Sequence, residues 1–257
     1  MVGNYRLAEE KILAAFKLLR EAQEGCTAAF QASDYDFQVV VEFHSKRIAL
    51  DEPQTLMFQW KKRAWSRLVE KMGIRKAMSI KRAAELDAEL ESGKNLPEIT
   101  EANILAMVEK TMDDFPQMVQ EAVKEVYERL RPRSERYKTN DYFEVGRRVI
   151  LSNRVRMNYN GKFDDNHYHH QEMNALDNVF HMLDGKGIPP GYDGPLLTAI
   201  KQTGIEGKGA TEYFRFQCYA GNGNLHLEFL RLDLVARLNQ VAGGGQLRKA
   251  DETRKAA

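Results

Sequence analysis

The chain has 257 residues, 43% of them hydrophobic and 9% aromatic, which is enough apolar surface to bury a core. Thirty-eight Lys and Arg stand against 37 Asp and Glu, a net charge of +1, so overall basicity does not recruit nucleic acid and such binding must come from local asymmetry. Cys26 and Cys218 lie far apart without CxxC spacing, which argues against a disulfide framework and suits a cytoplasmic protein; no signal-like segment and no apolar run of about 20 residues points to export or a membrane.

Residues 5–32 carry Leu7, Ile12, Ala15, Phe16, Leu19 and Ala22 at helical spacing and predict an amphipathic helix. The segment 36–50, DFQVVVEFHSKRIAL, has a β-branched run with helix-compatible neighbours, and its pattern does not decide between helix and strand. Pro53 then opens a helix that Gly73 stops, and a second helix is predicted over about 76–92. After the loop SGKNLPEITEAN, with Thr100 as candidate N-cap, a helix runs from Glu101 to about Arg131, with Pro116 a point of restart.

The character changes after RPRSERYKTND. Strand-type residues flank Ser152–Asn153 and predict a hairpin across 141–161, followed by a helix over 170–183 and the Gly/Pro-rich loop DGKGIPPGYDGP. The clearest hairpin is EYFRFQCY, AGNG, NLHLEF; a helix over 232–242 and a Gly triplet close the fold. The expected class is α+β and predominantly helical, with a helical N-terminal half and two β-hairpins with packed helices in the C-terminal half. The expected divisions are a helical region over 1–132, an α+β domain over 133–245 and a frayed tail over 246–257.

Charge is distributed in blocks. Residues 61–82 hold nine Lys or Arg against one acid, residues 83–123 hold ten acids, and residues 129–156 hold nine cations against three acids. Basic residues interleaved with rings are suited to phosphates and bases, which makes Trp60, Lys61, Lys62, Arg63, Arg67, Arg147, Arg148, Arg154 and Arg156 candidates for nucleic-acid contact, with Trp65, Tyr137, Tyr142 and Phe143 as further rings. The competing reading is a pair of solvated, charge-complementary helices. Gly73 between two helical patterns also suggests a helix-turn-helix, although Val69 stands where a small residue is wanted.

Five of six histidines lie between 167 and 226. On a helix over 170–183, His170, Asn174, Asp177 and His181 fall within about 60° of one another, opposite the apolar stripe. His167, His169, His170, Asp177 and His181 are therefore candidate ligands for a divalent metal, the cofactor such a site would take. His170, Asp177 and His181, joined by His226 and Glu228 from the polar face of the second hairpin, are candidates for acid–base work on a phosphodiester. A polar turn and a solvated face account for the same pattern, since no HExxH or Cys/His signature occurs. No GxxxxGK[ST] loop is present, and GNGNLH lies in a hairpin, so those nucleotide-binding loops are unsupported.

The segments YKTNDYFEVGRRVIL, ALDNVFHMLDGKG and TEYFRFQCYAGNGNLHLEFLRLDLVARLN resemble an uncharacterised bacterial and phage family, the domain of unknown function numbered four-nine-four-two, over roughly residues 99–242. The resemblance implies a setting in phages and other mobile elements, with some longer relatives joined to DNA methyltransferases. IPPGY lacks the DPPY-type catalytic arrangement, so methyl transfer by this chain is not implied. Three readings follow: a nucleic-acid-associated accessory protein of phage or mobile-element origin in DNA modification, defence or counter-defence, with DNA or RNA as partner; a metal-dependent phosphodiesterase; or an inhibitor or assembly factor that binds a host or phage protein.

Overall fold

The computed structural model describes residues 1–31, 38–43, 46–131 and 144–243. Among these are seven α-helices and three small antiparallel sheets, so the fold is α+β, with most strands in the C-terminal half. Two compact units divide the chain. One holds Met1–Met72 with Glu85–Met112; the other holds Gly73–Ala84 with the described residues from Asp113 on. The packing therefore divides the chain differently from a cut at 132.

In the first unit, helix α1 (Val2–Phe30) precedes two antiparallel strands, β1 (Val40–Phe43) and β2 (Lys46–Ala49), so most of the described part of the undecided segment is strand. Helix α2 (Pro53–Met72) follows. Phe16, Ile48, Leu50 and Leu56 form a small core, with Ile12, Val41, Phe43 and Trp60 packed on it. Trp65 is buried and its indole N–H donates to the Pro97 carbonyl at 2.8 Å, as a buried indole requires.

Gly73 ends α2 in the left-handed region at φ 67°, and a 3-10 turn, Ile74–Ala77, stands where a longer helix is expected. Helix α3 (Ile80–Ser92) begins only after it, capped by Ser79, whose hydroxyl accepts from the Arg82 N–H at 3.2 Å. Helix α4 (Glu101–Leu130) has Thr100 as its cap, accepting from the Asn103 N–H at 3.1 Å, and it passes through Pro116 without restarting.

In the second unit, β3 (Arg148–Leu151), β8 (Asn224–Phe229), β7 (Phe214–Tyr219) and β6 (Lys208–Ala210) form one antiparallel sheet in that order. The hairpin expected about Ser152–Asn153 does not form. Asn153 adopts φ 57° and turns the chain out of this sheet, so β4 (Val155–Met157) pairs instead with β5 (Phe163–Asp165). Gly223, in the tip of the β7–β8 hairpin, receives that turn: its carbonyl accepts from the N–H groups of Arg154 and Val155 at 2.7 and 3.0 Å, and a Cβ there would press on the Val155 carbonyl. Helix α5 (His170–Leu183) falls where the sequence predicts it, α6 (Pro195–Gln202) was not foreseen, and α7 (Leu232–Gly243) is the last described element. The expected tail at 246–257, and the residues Arg133, Arg136, Lys138, Tyr137, Tyr142 and Phe143, lie outside the described residues.

The register places Phe214, Phe216, Cys218, Leu225, Leu227 and Phe229 on one sheet face, all buried. Helix α5 covers that face. Phe180 stacks on Phe229 with centroids 5.3 Å apart and meets Phe214 edge-on at 4.9 Å. Val123, Val126, Leu130, Leu196, Ile200 and Leu238 from α4, α6 and α7 complete the core. Phe180→Ala should cost about 3–5 kcal/mol, read as a lower midpoint in chemical denaturation; a loss below about 1 kcal/mol would contradict this account of the core.

Candidate nucleic-acid interface

The face of the sheet turned away from α5 carries its polar side chains. The register sets Arg148 opposite Glu228 and Glu228 opposite Arg215; two residues along, Ile150, His226, Gln217 and Lys208 form the next row. Glu228 is the centre of the charge. Its carboxylate lies 2.8 Å from Arg147, 3.2 Å from Arg215 and 3.8 Å from Arg148. The glutamate side chain is only 13% exposed, whereas the three arginines are 64%, 62% and 77% exposed. Burial acts to raise the Glu228 pKa, but the surrounding guanidiniums win and hold it below the usual glutamate value. With exposed Lys208, the face presents four cations against one carboxylate. Beyond them, the Tyr219 and His226 rings lie 4.3 Å apart, and Ile150 is 60% exposed. Arg148, Ile150, Lys208, Arg215, Gln217, His226 and Glu228 border a shallow groove of about 710 Å³.

The histidines of α5 belong elsewhere. Because α5 packs on the inner face of the sheet through Phe180, its polar side does not meet His226 and Glu228, which lie on the outer face. The histidines also separate from one another. His167 is exposed beside the Tyr168 ring at 3.9 Å, and His169 approaches Glu172 at 3.4 Å. The Nδ1–H of His181 donates to the Asp177 backbone carbonyl at 2.8 Å, while its ring meets Tyr213 edge-on. A carbonyl can only accept, which sets the tautomer. Among the described residues no group of three or more His, Cys, Asp or Glu side chains is placed to hold a metal ion.

Asp177 departs most from expectation, for it is fully buried rather than part of a solvated face. The reason lies in α6. Its N-cap is Gly194, without a side chain, and its first residue is Pro195, without an N–H, so the Leu196 N–H is the first donor that needs a partner. Asp177 Oδ2 accepts it at 2.8 Å, a cap supplied from another helix. A Cβ at Gly194 would run into this carboxylate. The other oxygen, Oδ1, has no partner, and burial pushes the carboxyl up to about 7 against the lowering effect of the Leu196 bond.

His170 anchors a second network, which spacing alone did not show. Its Nδ1 lies 2.9 Å from Asp165 Oδ2, its Nε2 is 3.1 Å from the Asn174 amide, and its ring stacks on Tyr192. Asn174 also donates to the Tyr192 carbonyl and accepts from the Gly194 N–H. Lys201 Nζ sits 3.1 Å from Asp165 and 2.9 Å from Asp193, with Asp164 at 3.7 Å. Burial would raise the Asp165 pKa, but bonds from His170 and Lys201 lower it overall. The network ties β5, α5, the loop before α6 and α6 itself together. The only hints in the sequence were the Asp164–Asp165 doublet and an acid at the start of an unforeseen helix.

Most of the remaining basic candidates already have partners within the protein. Lys61 binds Glu98 at 2.7 Å, Lys62 approaches Glu91 at 3.3 Å and Arg67 binds Glu70 at 2.6 Å. Arg63 is likewise engaged, and Trp60 packs beside Phe43. Further along that block, Lys76 donates to the Pro189 and Gly191 carbonyls, and Arg82 bonds Asp114 and Glu121. The charge-complementary reading describes this segment best. Arg154 is 18% exposed and turned onto Glu172 at 2.6 Å, which Arg129 grips from the other side at 2.5 Å; Arg156 is exposed on β4.

Asp177 gives a pH prediction. A carboxyl held near 7 in the folded state and near 3.9 unfolded binds its proton more tightly when folded, so stability falls as pH rises from about 4 to about 7. Asp177→Asn keeps an accepting oxygen for Leu196 and cannot ionise. Its melting temperature relative to wild type should rise by several degrees between pH 5 and 8.5, since about 1 kcal/mol shifts Tm by about 2–4 °C at this size. A difference independent of pH would overturn the assignment.

Comparison with known proteins adds one finding: no curated protein and no solved structure matches the chain. The model of the family described as Domain of unknown function (DUF4942) matches residues 57–246, most of the sequence, and the chain belongs to that family.

Proposed function

We propose that the protein binds nucleic acid through the outer face of its four-stranded sheet, as an accessory protein rather than through catalysis of its own. The observation that carries the reading is the set of exposed cations, Arg147, Arg148, Arg215 and Lys208, on a sheet face whose opposite side is fully covered. Guanidiniums that stand in solvent around one carboxylate retain donors for phosphate oxygens, and their charge adds a salt-dependent affinity. The accessory role in phage or mobile-element DNA transactions comes from the family resemblance and supplies the setting.

The hydrolytic reading receives less support, because His170, Asp177 and His181 act in three separate internal contacts and His226 and Glu228 stand on the far side of the sheet. The protein-partner reading rests on α1, where Leu7, Leu13 and Leu18 are exposed. A pull-down that survives nuclease treatment and is abolished by Leu7→Glu/Leu18→Glu would favour it.

Gel-shift titrations between about 50 and 200 mM salt test the leading reading. Arg148→Glu/Arg215→Glu should weaken binding at least tenfold and lower the slope of log K against log salt by about two. Lys61→Glu/Lys62→Glu, which alters cations already paired within the protein, should change affinity less than about threefold. Absence of binding at the lowest salt, or equal binding by the sheet variant, would sink the proposal.

A further inference from the structure

We infer that the nucleic acid this face accepts is a single strand, seated with its backbone on the Arg148–Arg215 row and a base against the Tyr219–His226 ring pair. The inference rests on the reading above and sharpens it. Two features of the face discriminate between strand forms.

The first is how the cations are gathered. Arg147, Arg148 and Arg215 all approach one carboxylate, Glu228, within 3.8 Å, so their charge is concentrated at one point of the sheet. A duplex presents two phosphate rails across a groove about 6 or 12 Å wide and is met by a helix or ribbon that enters the groove. A sheet face whose arginines share one focus matches one backbone.

The second is the chemistry beside that focus. Along β7, Arg215, Gln217 and Tyr219 occupy successive outward positions about 6.6 Å apart, and β8 sets Glu228, His226 and Asn224 next to them. The face therefore changes from arginines to rings along one direction, with Lys208 at the edge of the His226 row. Tyr219 is 37% exposed and lies beside His226 at 4.3 Å, and Ile150, in the same row as His226, is 60% exposed. Rings and apolar surface on an otherwise charged face offer nothing to the outside of a duplex, whose bases are already stacked. They suit unpaired bases, which every sequence can present as a flat π face. Gln217 and Asn224 supply side-chain amides beside the rings for polar contact with a base edge.

Fluorescence anisotropy on the full chain tests this with three probes at one salt concentration: a labelled oligothymidine of about 20 nucleotides, a mixed-sequence duplex of equal length, and inorganic polyphosphate as competitor. The single strand should bind at least tenfold more tightly than the duplex. Tyr219→Ala should weaken single-strand binding about fivefold or more, while Tyr219→Phe should stay within about twofold. Thermal melts of both variants, expected to match wild type because Tyr219 is exposed at the end of its strand, separate loss of the ring from loss of the fold. Equal affinity for strand and duplex, an unaffected Tyr219→Ala variant, or polyphosphate competing as well as unlabelled oligothymidine would overturn the inference. In each of those cases the Arg148→Glu/Arg215→Glu loss would leave the broader reading standing. If none of the three probes binds, both fall together.

Discussion

The packing of Phe180 between Phe214 and Phe229 is the contact on which the arrangement of the C-terminal unit depends. It gives the four-stranded sheet an inside and an outside. A central strand pair with six buried apolar side chains on one face needs only one cover, and α5, with α4, α6 and α7 around it, supplies that cover. Because side chains alternate across a strand, burial of Phe214, Phe216 and Cys218 sends Arg215, Gln217 and Tyr219 to solvent without further instruction. The charged face thus follows from the hydrophobic core.

The same packing determines the role of α5's polar side. A helix laid on a sheet has flanks that neighbouring segments can reach, and here the loop 185–194 and α6 cover one of them. Buried polar groups on that flank must find partners, and they do so in a connected set: Asn174 holds Tyr192 and Gly194, Asp177 holds the start of α6, and His170 joins Asp165 to Asn174. Lys201 then bridges Asp165 and Asp193. The histidine cluster that looks in sequence like a ligand set is therefore divided among separate structural tasks. Asp177 is left with an unmet oxygen, and its raised pKa reflects the burial of a carboxylate where a glycine–proline helix start needs an acceptor.

The sequence made some of this legible and concealed the rest. Strict alternation in FRFQCY and NLHLEF, with a glycine-rich turn between, was enough for the hairpin and for its buried and exposed faces, and the apolar stripe of 170–183 was enough for α5. Strand partners were not legible. Ser152–Asn153 reads locally as a hairpin turn, but β3 is taken by the free edge of β8, a choice made by a strand more than 70 residues away. Asp177 deceived for an angular reason: it lies only about 40° around the helix from Met173, near enough to the core for a neighbouring segment to bury it. The basic run 61–82 deceived in another way, since composition cannot tell a cation that faces solvent from one that faces Glu91 or Glu98. The Arg129–Arg154 grip on Glu172 was hidden for the same reason.

A carboxylate in the middle of a basic face looks at first like an argument against anion binding, and the donor count shows why it is not. Each guanidinium has five N–H donors, while a carboxylate offers about four acceptor positions. Three arginines around Glu228 therefore leave most of their donors unsatisfied by it, directed outward from side chains that are more than half exposed. Without Glu228, three guanidiniums gathered this closely would repel one another and spread into solvent. With it, they are held at one place and keep a net positive charge. A partly buried acid ringed by exposed arginines keeps cations gathered with donors to spare, in contrast to Lys61, Lys62 and Arg67 of α2, each of which is paired with an acid of its own.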